Sequence, residues 1–486
     1  LLKRRAILQL PKRGWSKEVI ERGLQENRSG DMPVHGGRVW AYVYPAGEEI
    51  EAIQKRAYLE FLSENALDPT VFPSLRKMEN DVVAIALSHM NAPEGAAGNF
   101  TSGGTESCML AVKTARDYAR KVRGIAEPQI VVPVTAHAAF HKAAQYFDVE
   151  LITVPVDEIT FKVRPEAVEA VLTDRTALIV VSAPSYAHGV VDPVTEVAAL
   201  AKARGVLCHV DGCIGAWLLP FFEKLGAPVP AFDFRVDGVT SLSMDLHKYG
   251  FCPKGASVIL YRSKDLRKFQ VFSCAAWTGY SVVNPTMLST KTGGPVAAAW
   301  ATLHALGEEG YLEKAAMMRE ATQKLIAGIA EIPGLSVLGT PEMTLVAFSS
   351  TEVSPFFVID AMKKRNWYIQ PQFDGHGSRA NIHLTITPQS LANVEPFLAD
   401  LRAAVEEVRG RTFGPLVATL GAALDGVDPT TFGDEMLGQM LAMGGLSPDA
   451  LPEEMADVNA ILNSLPPALT EKLLATFVND LFTPTA

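Results

Sequence analysis

Lys248 is the first residue of this sequence whose surroundings point to chemistry. It lies in SLSMDLHKYGFCPKGASVILY, after a run of small and apolar residues and before a strand-like run. A lysine held in a pocket has a lowered ammonium pKa and can form an imine with a carbonyl compound. Most single lysines are solvated surface charges instead, so Lys248 needs partners before a role can be assigned to it.

Three other stretches supply candidate partners for such a lysine. In FTSGGTES, Gly103 and Gly104 precede Thr105 at a helix start, where free N–H groups and a hydroxyl can hold phosphate or form an ordinary N-cap turn. His137 follows the run QIVVPVT and could lie over a flat ring or cap the next helix. Asp211 ends the run GVLCHVD, where a buried carboxylate needs a cation such as a protonated heterocyclic nitrogen, unless it is solvated in a turn.

The elements that must position these residues are predicted strands. Between residues 100 and 290, amphipathic stretches separate short apolar runs at 129–135, 150–156, 177–184, 205–211, 238–244 and 256–261. Strands that are apolar on both faces and separated by helices predict an α/β fold with a mostly parallel sheet. Ligands bind beyond the carboxyl ends of such strands, so the candidate residues should converge there. An anion cradle, a histidine, a carboxylate and a lysine together are what pyridoxal 5'-phosphate (PLP) requires.

The composition excludes several classes of function. The chain has 486 residues, 48% of them hydrophobic and 20% charged, which predicts two or three folded domains. Its net charge of −10 argues against nucleic acid or an anionic membrane as the main partner. No run reaches the roughly eighteen uncharged apolar residues of a membrane span. Five cysteines without CxxC pairs or metal-ligand spacing predict reduced thiols, a cytoplasmic location and no metal site.

Several motifs resemble the sphingosine-1-phosphate lyases and their bacterial relatives, within the wider group II PLP-dependent decarboxylases. They are FPSLRKME, TSGGTES, AHAAFHKAAQYF, HGVVDPV, HVDGCIGAW and FDFRVDGVTSLSMDLHKYGFCPKGASVILY. The resemblance covers about residues 36 to 410. It implies a type I PLP-dependent transferase fold, in which a large domain with a mostly parallel seven-stranded sheet precedes a smaller α+β C-terminal domain.

The resemblance also implies which residues hold the cofactor. Lys248 would carry it, Asp211 would pair with its ring nitrogen, and His137 would stack on the ring. The full implied set is Gly104, Thr105, His137, Asp211, His247, Lys248 and Gly293. In the family a loop of the neighbouring subunit, which here contains Gly293, completes the site, so a homodimer with shared active sites is implied. Lys291 stands where that loop usually has arginine.

A second implied set of residues would contact the substrate, a small-molecule amine or amino acid. It comprises Tyr44, Asn65, Asp68, Lys254 and Arg379, with Tyr186 near the reacting atoms. Asp68 stands where the family has histidine, and its carboxylate would repel a phosphate, be neutralised by Lys254, or favour an amine-bearing substrate. Arg379 could hold an α-carboxylate, as an arginine does in related aminotransferases, or it could be a surface residue.

We expect four parts along the chain. They are a helical N-terminal segment (1–95) that helps to complete the active site, a PLP-binding large domain (96–295), a small α+β domain (296–414) and a helical tail of unassigned role (415–486). The leading expectation for the activity is retro-aldol cleavage of an amino alcohol, with or without a phosphate, to an aldehyde and an amine, with Tyr186 or Lys248 carrying the proton. Decarboxylation of an L-amino acid is the main alternative, transamination comes third, and a non-catalytic PLP-fold protein comes last.

Overall fold

A mixed seven-stranded sheet forms the centre of the large domain. The structure is a computed structural model that describes residues 9–415, 417 and 452–484. In the strand order β1-β7-β6-β5-β4-β2-β3, only β7 runs antiparallel to its neighbours. The strands are β1 (Ala97–Thr101), β2 (Gln129–Pro133), β3 (Glu150–Val154), β4 (Thr176–Ser182), β5 (Leu207–Asp211), β6 (Ser241–Met244) and β7 (Ser257–Tyr261). The predicted mostly parallel sheet is confirmed, and β1 is a strand that the apolar runs did not reveal.

Helices cover both faces of this sheet, which is why its strands are apolar on both sides. In the large domain they are α4 (Gly104–Tyr118), α5 (Ala139–Phe147), α6 (Pro165–Glu169), α7 (Val194–Ala203), α8 (Leu219–Lys224) and α9 (Lys264–Arg267). Three helices precede them: α1 (Lys17–Arg28), α2 (Glu48–Glu60) and α3 (Pro73–His89). No residue of α1 is buried. After α9, the strands β8 (Phe272–Cys274) and β9 (Val282–Asn284) form a separate hairpin.

The small domain is an antiparallel sheet packed against helices. The long helix α10 (Gly293–Ala330) leads into it and is kinked at Gly307, whose φ is 56°. The strand order is β10-β11-β13-β12. The bounds are β10 (Leu335–Val337), β11 (Leu345–Ser350), α11 (Pro355–Lys364), β12 (Gln370–Gln372), β13 (Asn381–Thr385) and α12 (Val394–Val408). The predicted α+β character of this region is therefore present.

The N-terminal segment and the tail both pack on the small domain. The backbone N–H of Trp40 donates to the Tyr368 carbonyl, and its fully buried ring stacks on Phe397 with the ring centroids 4.2 Å apart. In the tail, the helices α13 (Ala456–Ser464) and α14 (Pro467–Leu481) follow one another. The Asp360 carboxylate accepts from the backbone N–H groups of Met455 and Ala456. About half of the helical tail that we predicted over 415–486 lies outside the described residues. None of the described helices combines the length and the hydropathy that a membrane span requires.

Candidate active site

Lys248 lies just after β6, beside a carboxylate that the sequence analysis missed. Its Nζ is 3.0 Å from Oδ2 of Asp245, which is almost completely buried and whose Oδ1 has no hydrogen-bond partner. Burial by itself would lower the pKa of Lys248, but Asp245 and other nearby acidic groups outweigh it and raise that pKa above its ordinary value. The expectation of a lowered pKa is therefore wrong for this chain. The signal was present in the sequence, since Asp245 precedes Lys248 by three residues.

Asp211 ends β5 and is buried between β4 and β6. Its Oδ1 accepts hydrogen bonds from the backbone N–H of Cys213 at 3.1 Å and from the Ser243 hydroxyl at 3.2 Å. Burial tends to raise the pKa of Asp211, but the charge of His137 and the bond from Cys213 hold it below its usual range. The site therefore contains a buried carboxylate that stays ionised, which suits a cationic ring nitrogen.

The start of α4 forms a backbone cradle beside Asp245 and Cys213. No side chain caps the helix at Gly103, so the first N–H groups of α4 are available to an anion. A Cβ on Gly104 would lie 2.5 Å from Oδ2 of Asp245, which explains why only glycine fits there. Thr105 is exposed beside this turn, and a Cβ on Gly103 would lie 3.6 Å from the His247 ring. The turn thus offers uncapped backbone N–H groups at a helix start, the kind of donor that an anion can use.

His137 is exposed at the start of α5. Its Nδ1 accepts from the backbone N–H of Ala139 at 3.1 Å, which fixes the ring at the helix terminus. The charge of His137 lowers the pKa of Asp211. Of the two roles that we considered, the structure shows a contact of His137 with the start of the helix, and stacking on a ring stays a prediction.

His247 also lines a cavity of about 730 Å³. Lys254 and Tyr44 line it, and the Lys254 Nζ lies 4.8 Å from the centroid of the Tyr44 ring. The same Nζ donates to the His247 carbonyl at 3.2 Å. Desolvation by the cavity wall, reinforced by the charge of Lys248, lowers the pKa of Lys254 to about 8. The structure thus brings together Tyr44 and Lys254, next to the loop that bears Lys248.

Tyr186 connects the large domain to the small one. Its hydroxyl donates to Oε1 of Gln370 at 2.6 Å, and its ring packs on His383 with the centroids 4.3 Å apart. Burial raises the pKa of Tyr186, with the neighbouring Tyr44 and Tyr42 contributing. Its phenol is therefore protonated at neutral pH.

Asn65 and Gly293 belong to two chain segments that are hydrogen-bonded to each other through their backbones. The Asn65 Oδ1 accepts from the Lys291 N–H at 3.2 Å, and the N–H of Gly293 donates to the Glu64 carbonyl at 2.9 Å. Lys291 also forms an ion pair of 2.8 Å with Glu79. Within this chain, Asn65 therefore holds the loop that leads into α10.

Asp68 and Arg379 lie apart from Lys254. The Asp68 Oδ1 accepts from the Thr70 N–H at 2.8 Å and from its hydroxyl at 2.6 Å, and the bond from that hydroxyl lowers the pKa of the exposed Asp68. Arg379 lines a different cavity, of about 410 Å³, with Asp374 and with Asn463 of the tail. The structure thus joins Asp68 to Thr70 and places Arg379 between the small domain and the tail.

Comparisons with known proteins point in one direction. A family model described as the pyridoxal-dependent decarboxylase conserved domain matches residues 35–351. A second model, for a candidate helix-turn-helix (HTH) domain at the C-terminus of pyridoxal-dependent enzymes, matches residues 418–480. A sphingosine-1-phosphate lyase of Arabidopsis thaliana is 41% identical over 409 residues, which are 82% of this chain and 74% of the relative.

Solved structures agree with these relatives. A sphingosine-1-phosphate lyase of Burkholderia pseudomallei superposes with a TM-score of 0.78 and 34% identity, covering 86% of this chain and 97% of that one. A glutamate decarboxylase of Lactobacillus brevis superposes with a TM-score of 0.74 at 20% identity, covering 84% of this chain and 96% of that one. The second likeness is one of fold alone.

Proposed function

Because the chain belongs to the family of pyridoxal-dependent decarboxylases and is a PLP-dependent lyase, we propose that it cleaves a carbon–carbon bond in a phosphorylated amino alcohol. The products are an aldehyde and a phosphorylated amine, as for an enzyme of the sphingosine-1-phosphate lyase type. The observation that carries this proposal is Lys254, a cation in a cavity that adjoins the Lys248 loop. A cation in a cavity beside the loop that bears the reacting lysine suits a substrate phosphate.

The residues present fit the cofactor. Lys248 would hold it covalently, Asp211 would face its ring nitrogen, and the start of α4 with His247 would hold its phosphate. PLP, when bound, supplies an electron sink for the bond that breaks at the substrate amine carbon. The unpartnered Oδ1 of Asp245 and the glycine at position 104, where a Cβ would meet Asp245, are the structural features on which this fit is judged.

Proton transfer falls to Lys248 and Tyr186. As a free amine, Lys248 would lie beside Asp245, whose carboxylate would stabilise the ammonium that forms when Lys248 accepts a proton. Lys248 is therefore the base for the substrate hydroxyl. Tyr186 keeps its proton at neutral pH and is the donor that completes the amine product.

Asp245 should consequently control how readily Lys248 reacts. We expect Asp245→Asn to lower the pKa of Lys248, because burial then acts without the opposing carboxylate. The measurement is the pH profile of the rate at which cofactor-free chain gains visible absorbance when PLP is added. The profile should shift to lower pH by about one unit or more. Asp360→Asn, which alters a buried carboxylate in the small domain, is the control, and an equal shift in both variants would contradict this role.

The substrate phosphate should be bound more weakly at alkaline pH. Lys254 is charged below its pKa of about 8 and neutral above it, so its attraction for phosphate is present at low pH and is lost as pH rises through that value. We expect kcat/KM for a phosphorylated substrate to fall above about pH 8. Lys254→Arg should remove this break, because arginine stays charged. A break that persists unchanged in Lys254→Arg would show that another group titrates.

A second copy of the chain completes the proposed enzyme. The β8–β9 hairpin and the turn after it expose large apolar side chains: Phe272, Trp277, Tyr280, Val283, Met287 and Leu288. An exposed cluster of this kind is typical of an interface between protein chains. We therefore assign it to a homodimer, in which the loop at Gly293 approaches the partner's cofactor. Sedimentation of the full chain tests this, and a monomer at micromolar concentration would refute it.

Nucleic acid is not part of the proposal, although the second family model concerns an HTH domain. The matched residues, 418–480, carry ten Asp and Glu against one lysine. A phosphate backbone is bound by an excess of positive charge, and this segment has the opposite balance. The five free cysteines favour a reducing, cytoplasmic compartment.

A direct assay distinguishes carbon–carbon cleavage of an amino alcohol from decarboxylation of an amino acid. Purified chain loaded with PLP is given phosphorylated sphingoid bases and, separately, a panel of L-amino acids. We expect aldehyde release from the former and no carbon dioxide from the latter. Carbon dioxide release without aldehyde would make the chain an amino-acid decarboxylase and would overturn the proposed cleavage.

A further inference from the structure

Two thiols lie beneath the proposed cofactor site and have no role in the function proposed above. Cys108, in the first turns of α4, has its Sγ 3.9 Å from the Sγ of Cys213, which follows β5. Both are buried. The Ser243 hydroxyl lies 3.2 Å from the Cys213 sulfur and 3.9 Å from the Cys108 sulfur. Neither thiol forms a disulfide.

The Asp211 carboxylate belongs to the same cluster. Ligand atoms of Cys108, Cys213 and Asp211 all lie within 4.8 Å of one another, and within the described part of the chain no other three His, Cys, Asp or Glu side chains meet that condition. The three residues come from a helix and a strand end that are far apart in sequence. The sequence therefore shows no cysteine spacing that is typical of metal binding. We expected no metal site because of that spacing alone.

The geometry suits a tetrahedral soft cation. Two thiolates bound to one Zn²⁺ at about 2.3 Å are about 3.8 Å apart, and the two sulfur atoms here are already 3.9 Å apart. A carboxylate oxygen is an accepted third ligand, and a water can be the fourth. Sulfur ligands select Zn²⁺ or Cd²⁺ over Mg²⁺ and Ca²⁺. The cluster thus needs little rearrangement to hold such an ion.

We propose that Cys108, Cys213 and Asp211 bind a soft divalent cation, Zn²⁺ or Cd²⁺, in the cofactor-free chain, and that this cation and PLP exclude each other. The exclusion rests on the proposed role of Asp211. The carboxylate that binds the metal is the one that would face the cofactor ring nitrogen, and a divalent charge there repels a protonated ring. The cation would thereby block cofactor loading.

The binding test uses Cd²⁺ and the full chain in the presence of a thiol-free reductant. Cadmium bound to thiolates gives an ultraviolet charge-transfer absorbance that does not depend on activity. We expect one equivalent to bind to the cofactor-free chain and none to the PLP-loaded chain. Cys108→Ala should weaken Cd²⁺ binding at least about tenfold. Removing a residue that only hydrogen-bonds to a metal ligand already costs about tenfold, and Cys108 is a proposed ligand itself. Cys274→Ser, which alters the one partly exposed thiol, should bind as the unaltered chain does.

The loading test uses Zn²⁺ and the appearance of visible absorbance on adding PLP. Zn²⁺ should slow loading of the unaltered chain at least tenfold and leave Cys108→Ala unaffected. If the Cys108→Ala variant does not fold, Cys108→Ser is used in its place. Equal Cd²⁺ absorbance in Cys108→Ala and the unaltered chain would overturn the metal site. Equal binding to loaded and cofactor-free chains would overturn the exclusion. Neither readout depends on which substrate is cleaved, so failure of the proposed lyase activity remains a separate result.

Discussion

Lys248→Ala is expected to abolish the visible absorbance of the PLP-loaded chain and to lower turnover by at least about 10⁴-fold. The alanine variant has no amine with which to hold the cofactor, and it also lacks the proposed base for the substrate hydroxyl. Loss of both roles at one position is why this change should have the largest effect. Absorbance spectra of purified protein, followed by the aldehyde assay, measure the two consequences separately.

Lys254→Ala is the matched control for this experiment. Lys254 lies six residues further along the chain and lines the adjoining cavity, but its Nζ contacts the Tyr44 ring and the His247 carbonyl. It should keep the visible absorbance and raise KM for a phosphorylated substrate. If Lys248→Ala retained the absorbance of the unaltered chain, another lysine would hold the cofactor and the assignment of the site would be wrong.

The sequence was most informative where a strand ends. Apolar runs are strong signals for buried strands, and Asp211 closes one of them while Lys248 follows another. The parallel arrangement then brings strand ends to one edge of the sheet, so their convergence could be predicted without coordinates. β1 was not predicted because its sequence, AGNFT, has no apolar run. It forms a strand because it pairs antiparallel with β7.

What the sequence could not provide is distance across the fold. Ser243 touches Asp211 because β5 and β6 pair in one register, which sets Asp211 opposite Ser243. The approach of Cys108 to Cys213 depends on how α4 lies on the sheet. Arg379 looked available for a substrate, but it lines a cavity together with Asn463, which comes from the tail. In each case the partner lies far away in sequence.

The direction of the Lys248 pKa shift also depends on a distance that the sequence does not give. A buried lysine alone is expected to become a weaker base, and only the 3.0 Å approach of Asp245 reverses that expectation. The reversal matters for the chemistry. A lysine that is a stronger base is slower to lose its proton before it binds the cofactor, but it is better suited to accept one from a hydroxyl during cleavage.

Asp211→Asn should have the second largest effect, because it removes a charge without removing the hydrogen bonds that position the side chain. The amide oxygen can still accept from the Cys213 N–H and the Ser243 hydroxyl, so the local fold is kept. A cationic ring nitrogen would then face a neutral group. Losing one partner of a buried ion pair costs roughly 3–5 kcal/mol, or roughly 10²- to 10⁴-fold in turnover or cofactor affinity.

Ser243→Ala separates charge from hydrogen bonding at this position. It removes one bond to the Asp211 Oδ1 and leaves the carboxylate in place, so we expect a loss of about tenfold or less. Turnover and the dissociation constant of PLP should be measured for both variants under the same conditions. If Asp211→Asn were no worse than Ser243→Ala, the carboxylate charge would not be what the ring nitrogen requires, and Asp211 would be a positioning residue for the strand end instead.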